Sequence, residues 1–264
     1  MEIQDRSIVV TGAGHGIGAA MARAFAANGA RGVTVADIDG DAALDVAGAI
    51  DGLAVQADVA DEQAVRGIVA AAEEAFGPID IFCSNAGIAA QGGVEMTNDA
   101  WQRTWDVNVM SHVYAARAVV PSMLARREGY LVNTASAAGL LTNIGAAAYS
   151  VTKHAAVALA EWLSVTYGDA GLRVSAVCPQ FVNTAMLEDM ASDPALSGWV
   201  NRATIEPEDV ARAVIAGIEA ERFLILPHEE VGEFFIRKAT DYERWLGGMR
   251  RLQAELIGDA PGNG

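Results

Sequence analysis

The chain has 264 residues, of which 52% are hydrophobic and 20% are charged, and its formal net charge is −16. So much apolar sequence excludes a disordered chain and suits one α/β domain. A chain this acidic is not expected to offer the basic surface that binds a nucleic-acid backbone or an anionic membrane. No apolar run reaches 18 residues, so we expect no membrane-spanning helix. We therefore expect neither nucleic acid nor membrane among its partners.

Short β-branched segments alternate with longer Ala-rich segments. The predicted strands are 7–11, 32–36, 53–56, 79–84, 130–135, 172–178 and 223–226. The predicted helices are 17–28, 42–50, 61–76, 98–127, 147–169 and 206–220. Strands that are apolar on both faces and separated by helices form parallel sheets covered on both sides. The sequence thus predicts an α/β fold with a doubly wound, seven-stranded parallel sheet. No linker or repeat divides it, so we expect a single domain over 1–264.

The first predicted strand is followed by a glycine-rich loop, T-G-A-G-H-G-I-G at 11–18. Glycines allow a tight turn and close backbone approach, and the helix behind them offers free N–H groups to a pyrophosphate. A strand before the loop and a helix after it are the context that this fingerprint requires. We predict a dinucleotide site that includes Gly12, Gly14, His15, Gly16, Ile17 and Gly18. The alternative is an ordinary strand–helix turn.

Asp37 ends the second predicted strand, nineteen residues after Gly18, and Ile38 follows it. An acid at this place accepts hydrogen bonds from the adenosine ribose and repels a 2′-phosphate. Asp37 therefore favours NAD over NADP, unless it is only a helix cap or a loop acid. A charged His15 would favour a phosphate, but neutral imidazole is the usual state at pH 7. Asp58 and Val59, after the third strand, are candidates for the adenine edge.

Tyr149 and Lys153 are four residues apart at the start of a long predicted helix, so they share one face. A nearby ammonium and a positive nicotinamide ring would favour the phenolate of Tyr149. Tyr149 could then exchange a proton with an alcohol or a carbonyl oxygen. The chain has only two lysines against sixteen arginines, which suggests a need for a compact ammonium at position 153. A surface pair is the usual alternative.

The ordered motifs resemble the short-chain dehydrogenase/reductase family, in its soluble, NAD-dependent branch. The matching residues are the loop at 11–18, Asp58-Val59, Asn85-Ala86-Gly87, Asn108, Ser136, Tyr149 and Lys153, and more weakly Pro179 and Thr184. Their order and spacing agree over about 5–227. The resemblance implies a Rossmann-like fold and an oxidoreductase that acts on CH–OH groups.

The resemblance also implies roles for individual residues. Ser136 would hydrogen-bond the substrate oxygen, Tyr149 would be the acid/base, and Lys153 would hold the nicotinamide ribose and polarise Tyr149. Asn108 would kink its helix and hold a water that relays protons. The cofactor pocket would be lined by Asn85, Ala86, Gly87, Pro179, Val182 and Thr184.

Two positions depart from the family pattern. Ser84 stands where the family often has asparagine, a small change with little consequence. Gln180 stands where glycine is usual after Pro179. Gln180 could reshape the substrate side of the nicotinamide pocket or make a polar contact of its own, or it could be a tolerated loop substitution.

By the resemblance, 185–204 is a lid over the substrate. Its candidate substrate contacts are Met186, Met190 and Trp199, together with Ala138, Gln180 and Phe181 outside the lid. These residues suggest a substrate with an apolar body, unless they simply pack the lid. No Arg or Lys lies between Arg173 and Arg202, so an anionic substrate has no obvious partner in the lid.

The C-terminal extension, about 228–257, carries an apolar stripe at helical spacing from Phe235, with arginines at other positions. We expect this segment to pack on the substrate lid or on a neighbouring subunit. A basic amphipathic helix can instead bind membranes or partner proteins.

Taken together, the sequence predicts an NAD-dependent dehydrogenase for a secondary alcohol or ketone with an apolar body. The alternatives are an NADPH-dependent ketone or ketoacyl reductase and a non-catalytic dinucleotide sensor. We expect a cytoplasmic homotetramer, or a homodimer, since the family pairs subunits through its long helices. Cys83 and Cys178 lie far apart in apolar runs and are expected to be buried reduced thiols, with no metal site.

Overall fold

The computed structural model describes residues 1–187 and 204–257. Its strands are β1 (Ser7–Thr11), β2 (Gly32–Asp37), β3 (Leu53–Gln56), β4 (Ile81–Ser84), β5 (Gly129–Thr134), β6 (Leu172–Val177), β7 (Phe181–Val182), β8 (Thr204–Ile205) and β9 (Leu224–Ile225). Its helices are α1 (Gly16–Ala27), α2 (Gly40–Gly48), α3 (Glu62–Phe76), α4 (Asn98–Trp105), α5 (Ser111–Arg126), α6 (Ala138–Leu141), α7 (Ala147–Tyr167), α8 (Pro207–Glu219), α9 (Glu230–Thr240) and α10 (Tyr242–Ile257).

Seven strands of the described residues form one sheet, in the order β3-β2-β1-β4-β5-β6-β9, and every pair is parallel. The predicted α/β fold with a seven-stranded parallel sheet is confirmed. β7 and β8 form a separate small pair, which the sequence pattern did not predict because each has two residues.

The sheet separates two hydrophobic cores. Ile8 and Val10 of β1 lie in one core, whereas Val9 lies in the other, as the alternation of side chains along a strand requires. Helices α1, α2 and α8 cover the first face, and α3, α5 and α7 cover the second. Burial on both faces explains why the strands read as continuous apolar runs. Cys83 and Cys178 are free and buried, as predicted.

The helix predicted at 98–127 is interrupted. A π-helical turn, Asp106–Met110, separates α4 from α5, and Asn108 lies in it. This wider turn presents the amide of Asn108 to the loop after β4, where it exchanges two hydrogen bonds of 2.9 Å with the backbone of Ile88. Such turns often mark functional positions within helices.

The single apolar stripe predicted for the C-terminal extension is wrong in one respect, because the segment forms two helices. α9 ends at Thr240, and Asp241 adopts an extended conformation. The carboxylate of Asp241 accepts a hydrogen bond from the backbone N–H of Arg244 at 3.0 Å and so caps the start of α10. Among the described helices, none is long and apolar enough to cross a membrane.

Candidate active site

A cavity of about 1150 Å³ opens at the carboxyl ends of the central strands. The strand order reverses between β1 and β4, and ligands of open α/β sheets bind at such a switch point. The wall is formed by the glycine loop, by the segments after β2 to β6, and by α9 and α10. The site therefore draws on residues from most of the chain.

The glycine loop packs tightly against the loop after β4. Gly12 has a φ of +62°, and a Cβ there would lie 2.7 Å from the Cα of Ala86. A Cβ at Gly18 would lie 2.0 Å from the carbonyl oxygen of Gly12. Only glycine fits these positions. His15, the N-cap of α1, makes no side-chain hydrogen bond to the first helical turn. The N–H groups of Gly16, Ile17 and Gly18 thus keep their capacity for an anion.

Asp37 is held beside this loop by two backbone hydrogen bonds. One carboxylate oxygen accepts the N–H of Gly14 at 2.8 Å, and the other accepts the N–H of Asp39 at 3.0 Å. Ile38 is exposed and also lines the cavity. The imidazole of His15 lies 3.4 Å from a carboxylate oxygen of Asp39. The acid predicted for the ribose therefore has a defined orientation at the cavity edge.

Asp58 and Val59 line the cavity, as does Arg103 of α4. Arg103 donates two hydrogen bonds to the carboxylate of Asp58, at 3.0 and 3.4 Å. Arg103 is not among the residues predicted from sequence, because its partner lies 45 residues away. The Arg103 guanidinium near the predicted adenine edge is therefore engaged in an ion pair.

The segment Asn85-Ala86-Gly87 is tied to β1. The hydroxyl of Thr11 accepts the N–H groups of Asn85 and Ala86, at 3.0 and 3.2 Å. The side-chain amide of Asn85 donates to the carbonyls of Thr11 and Gly12. Thr11 thus positions two predicted cofactor residues. The one sequence signal for this role is that Thr11 directly precedes the glycine loop.

Ser136, Tyr149 and Lys153 converge on the same wall. Ser136 follows β5, and its hydroxyl accepts the N–H of Ala138 at 3.1 Å. Tyr149 is the third residue of α7. One turn later, Lys153 donates to the carbonyl of Thr134 at 3.0 Å, and its Nζ lies 5.6 Å from the centre of the Tyr149 ring. The sequence predicted this triad, and the parallel sheet brings its members together.

Burial shifts the pKa values of Tyr149 and Lys153, the two titrating groups of this triad. Desolvation raises the pKa of the Tyr149 hydroxyl, and a hydrogen bond with Ser136 opposes that shift. Desolvation lowers the pKa of Lys153 to about 8. Without a bound nicotinamide, burial therefore raises the pKa of Tyr149. The sequence had led us to expect that Lys153 would lower it. The low pKa of Lys153 makes its charge sensitive to mildly alkaline pH.

Asn108 is buried behind the triad with its hydrogen bonds filled by protein groups. Besides Ile88, its amide donates to the hydroxyl of Thr152 at 3.1 Å. A Cβ at Gly87 would lie 3.3 Å from both the Asn108 oxygen and the Lys153 ammonium. Glycine at 87 thus leaves the space between Asn108 and Lys153 open.

The second segment of the predicted cofactor pocket follows β6. Pro179, Val182 and Thr184 line the cavity, and a Cβ at Gly16 would lie 2.9 Å from Cγ2 of Thr184. The N–H of Gln180 donates to Nδ1 of His228 at 3.1 Å, and Nε2 of His228 contacts the carbonyl of Phe181 at 3.1 Å. His228, which the sequence analysis missed, therefore clamps the Gln180 segment.

The predicted substrate residues lie on the same cavity where they are described. Ala138, Gln180, Phe181 and Met186 line it. Met190 and Trp199 lie outside the described residues. Five apolar side chains of α9 and α10 complete this wall: Phe234, Ile236, Trp245, Met249 and Leu252. The C-terminal extension thus packs on its own chain beside the substrate residues.

Three comparisons with known proteins identify the family. The sequence model described as short chain dehydrogenase matches residues 6–195. The chain belongs to the short-chain dehydrogenase family. It is 35% identical over 239 residues to a 1-deoxy-11-beta-hydroxypentalenate dehydrogenase from Streptomyces exfoliatus, covering 87% of this chain and 86% of that protein. It is 35% identical over 232 residues to a meso-2,3-butanediol dehydrogenase from Serratia marcescens, covering 84% of this chain and 90% of that protein.

A short-chain dehydrogenase/reductase from Burkholderia phymatum, solved in complex with NAD, has a TM-score of 0.83 and 30% identity to this chain. The match covers 92% of this chain and 96% of that one. This short-chain dehydrogenase is an oxidoreductase of alcohol groups, and the Burkholderia phymatum neighbour was solved with a nicotinamide dinucleotide, NAD.

The site of this short-chain dehydrogenase fits such a cofactor. The glycine contacts leave a cradle that any Cβ would fill, and the first turn of α1 presents its N–H groups beside Asp37. Among the described residues, no cluster of three or more His, Cys, Asp or Glu side chains could hold a metal ion. The glycine loop and Asp37 thus fit a dinucleotide.

Proposed function

We propose that this protein is an NAD-dependent dehydrogenase that acts on a secondary alcohol, or on its ketone, with an apolar body. The observation that carries the choice of NAD is the orientation of Asp37 beside Gly14. A carboxylate held there accepts hydrogen bonds from ribose hydroxyls and repels a 2′-phosphate. The nearby basic side chains, His15 and Arg103, each face a carboxylate, of Asp39 and Asp58 respectively. Neither is left to attract a phosphate.

The backbone N–H groups of Gly16, Ile17 and Gly18 would hold the pyrophosphate, and Asp37 the adenosine ribose. The segments Asn85–Gly87 and Pro179–Thr184 would enclose the nicotinamide end. When bound, the nicotinamide supplies the hydride acceptor or donor for the alcohol carbon. The chain itself supplies binding, orientation and the movement of a proton.

The proton transfer is assigned to Tyr149. Ser136 orients the substrate oxygen toward the Tyr149 hydroxyl, which accepts the alcohol proton in oxidation or donates one in reduction. The Lys153 ammonium, fixed on the carbonyl of Thr134, stabilises the phenolate form. Asn108 anchors the helix turn behind Lys153 through Ile88 and Thr152.

The substrate's apolar body is inferred from the wall. Ala138, Phe181 and Met186 and the apolar side chains of α9 and α10 line the cavity near Ser136. The hydroxypentalenate and butanediol named for the two relatives both carry hydroxyl groups. The named substrates support a secondary alcohol as the reacting group, and the apolar wall supports an apolar body around it.

The test is a panel of secondary alcohols with NAD and with NADP, followed by the absorbance of the reduced cofactor. We expect turnover with apolar alcohols and a kcat/KM that is higher with NAD. A preference for NADP would support the alternative, a ketone or ketoacyl reductase. Tight binding of NADH with no turnover on any alcohol or ketone would support a dinucleotide sensor, which the presence of Ser136, Tyr149 and Lys153 disfavours.

We also propose a cytoplasmic homotetramer, or a homodimer, assembled through the long helices. Trp105 on α4 and Val151, Trp162 and Val165 on α7 are exposed apolar side chains. Exposed apolar surface of this kind marks association sites. Light scattering at micromolar concentration tests the assembly, and a monomer would refute it.

A further inference from the structure

One face of α10 belongs to the wall of the cavity. The residues of that face are Arg244, Trp245, Gly248, Met249, Arg251 and Leu252. Positions three, four and seven apart lie on the same side of a helix. Arg244 and Arg251 are therefore stacked two turns apart on the cavity side, about 10 Å along the helix axis.

Two glycines separate these arginines. A Cβ at Gly247 would lie 3.7 Å from Nη1 of Arg251, and one at Gly248 would lie 3.9 Å from its Nη2. The Arg251 guanidinium thus folds back over the preceding turn, beside Gly247 and Gly248, in the direction that helical side chains lean. Glycines at 247 and 248 contribute no side chain here, but Nη2 of Arg250 would lie 3.8 Å from a Cβ at Gly247, so a third guanidinium borders the same turn from outside the cavity wall.

Both guanidinium groups are free of acidic partners within the described residues. Arg237, on the same wall, pairs with Glu233 at 3.2 Å. The nearby carboxylate of Asp241 accepts the backbone N–H of Arg244 instead. In a chain with 34 acids and 18 basic side chains, two unpaired cations at one cavity edge suggest a ligand with a negative charge.

The surface between the arginines and the catalytic residues is apolar. Trp245 packs on a cluster that includes Ala135 and Ala137, on either side of Ser136. Met249 and Leu252 extend the same wall. A ligand that reaches from Ser136 to α10 therefore contacts apolar side chains along its length and a pair of cations at its end.

We propose that Arg244 and Arg251 bind a carboxylate at the end of the substrate remote from the hydroxyl. The substrate is then a hydroxy acid, or the matching keto acid, with an apolar body, and this statement rests on the proposed dehydrogenase function. Guanidinium groups match the planar geometry of a carboxylate. The C-terminal extension thus supplies the cations that are missing from the predicted lid between Arg173 and Arg202.

The experiment compares secondary hydroxy acids of about eight to ten carbons, hydroxylated next to the terminal carbon, with their methyl esters. We expect the wild-type enzyme with NAD to have a kcat/KM for the acid about tenfold above that for the ester, the scale of one charged hydrogen bond. That preference should shrink as salt is raised, because salt screens exposed charges. Oxidation of neither compound, nor of any neutral secondary alcohol, would count against the proposed function itself.

The variant Arg244→Gln/Arg251→Gln should lower kcat/KM for the acid about tenfold and leave the ester within about twofold. The double lysine variant, which keeps both charges, should retain part of the preference. The matched control is Arg250→Gln, on the same helix but outside the cavity wall.

A second readout is the melting temperature with octanoate or octanamide, measured with NADH present. Only octanoate should stabilise the wild type more than the double variant.

Three results would overturn the proposal while leaving the dehydrogenase function intact. The first is equal wild-type activity on acid and ester. The second is an equal loss of kcat/KM for the acid in the Arg250→Gln control, which would indicate a general electrostatic effect of positive charge rather than a binding site. The third is a preference for coenzyme A esters over the free acids, which would assign the arginines to phosphates.

Discussion

The ammonium of Lys238 donates a hydrogen bond to the backbone carbonyl of Leu140 at 2.6 Å. Both groups are buried, so the contact fixes α9 to the segment after Ser136. Lys153, the other lysine, holds the carbonyl of Thr134 on the opposite side of Ser136. The two lysines of this chain thus brace the backbone on both sides of the proposed catalytic serine.

Replacing Lys238 with methionine keeps an apolar stem and removes the ammonium. The carbonyl of Leu140 then loses a charged donor, and we expect a loss of about 2 kcal/mol of unfolding free energy. The KM for apolar alcohols should rise, while the Kd for NADH should change little. The exposed Glu230→Gln, on the same helix, is the control. A lower melting temperature with an unchanged KM would show that this contact does not shape the substrate pocket.

Tyr149→Phe removes the ionising proton and keeps the ring. If Tyr149 is the acid/base, turnover should fall by about 10²–10⁴-fold, as is typical of general catalysis, with NADH binding nearly intact. Tyr114→Phe, whose ring packs in the second core away from the cavity, is the matched control. Turnover within about fivefold of wild type would be incompatible with general catalysis by Tyr149.

Asp37→Ser removes the carboxylate that would bind the ribose and repel a 2′-phosphate. We expect a higher KM for NAD and a lower KM for NADP. Steady-state kinetics with both cofactors measure the change, and the exposed Asp45→Ser on α2 is the control. If the unmodified enzyme already prefers NADP, the interpretation of Asp37 is wrong.

His112 predicts a loss of stability in mild acid. The ring is buried in α5, and its pKa is lowered to about 3 by desolvation and by the charge of Lys153. In the unfolded chain a histidine titrates near about 6.5. Only the unfolded state gains the proton as the pH falls below that value, so the contribution is full above pH 6.5 and is lost in acid. The expected loss between pH 7 and pH 5 is about 2 kcal/mol.

Urea unfolding of the wild type and His112→Gln at the two pH values isolates this contribution, because carboxylates titrate mostly below pH 5. The variant should lose about 2 kcal/mol less than the wild type on acidification. Ring-proton NMR of the folded wild type gives a second check. A His112 ring that titrates near pH 6 would contradict the assignment.

The fold followed from sequence with little error. The predicted strands of the main sheet and most helices end within two residues of the observed bounds. Apolar periodicity fails where a single side-chain hydrogen bond decides the backbone conformation. Asn108 lies in a π-helical turn whose Ile88 partner comes from another loop, and Asp241 divides an apolar stripe into two helices. Neither event changes the apolar pattern, so neither could be read from it.

The residues proposed for catalysis and for the cofactor came from sequence because their spacing is set by single elements. A strand end, a glycine loop and one helical turn place Gly12, Asp37, Tyr149 and Lys153 without reference to distant segments. By itself, the sequence determined the parallel sheet, the family and these candidates. Tertiary structure alone decided the contacts of Arg103, His228 and Lys238, because each partner lies far away in sequence. Such contacts depend on how helices pack, which local periodicity does not encode.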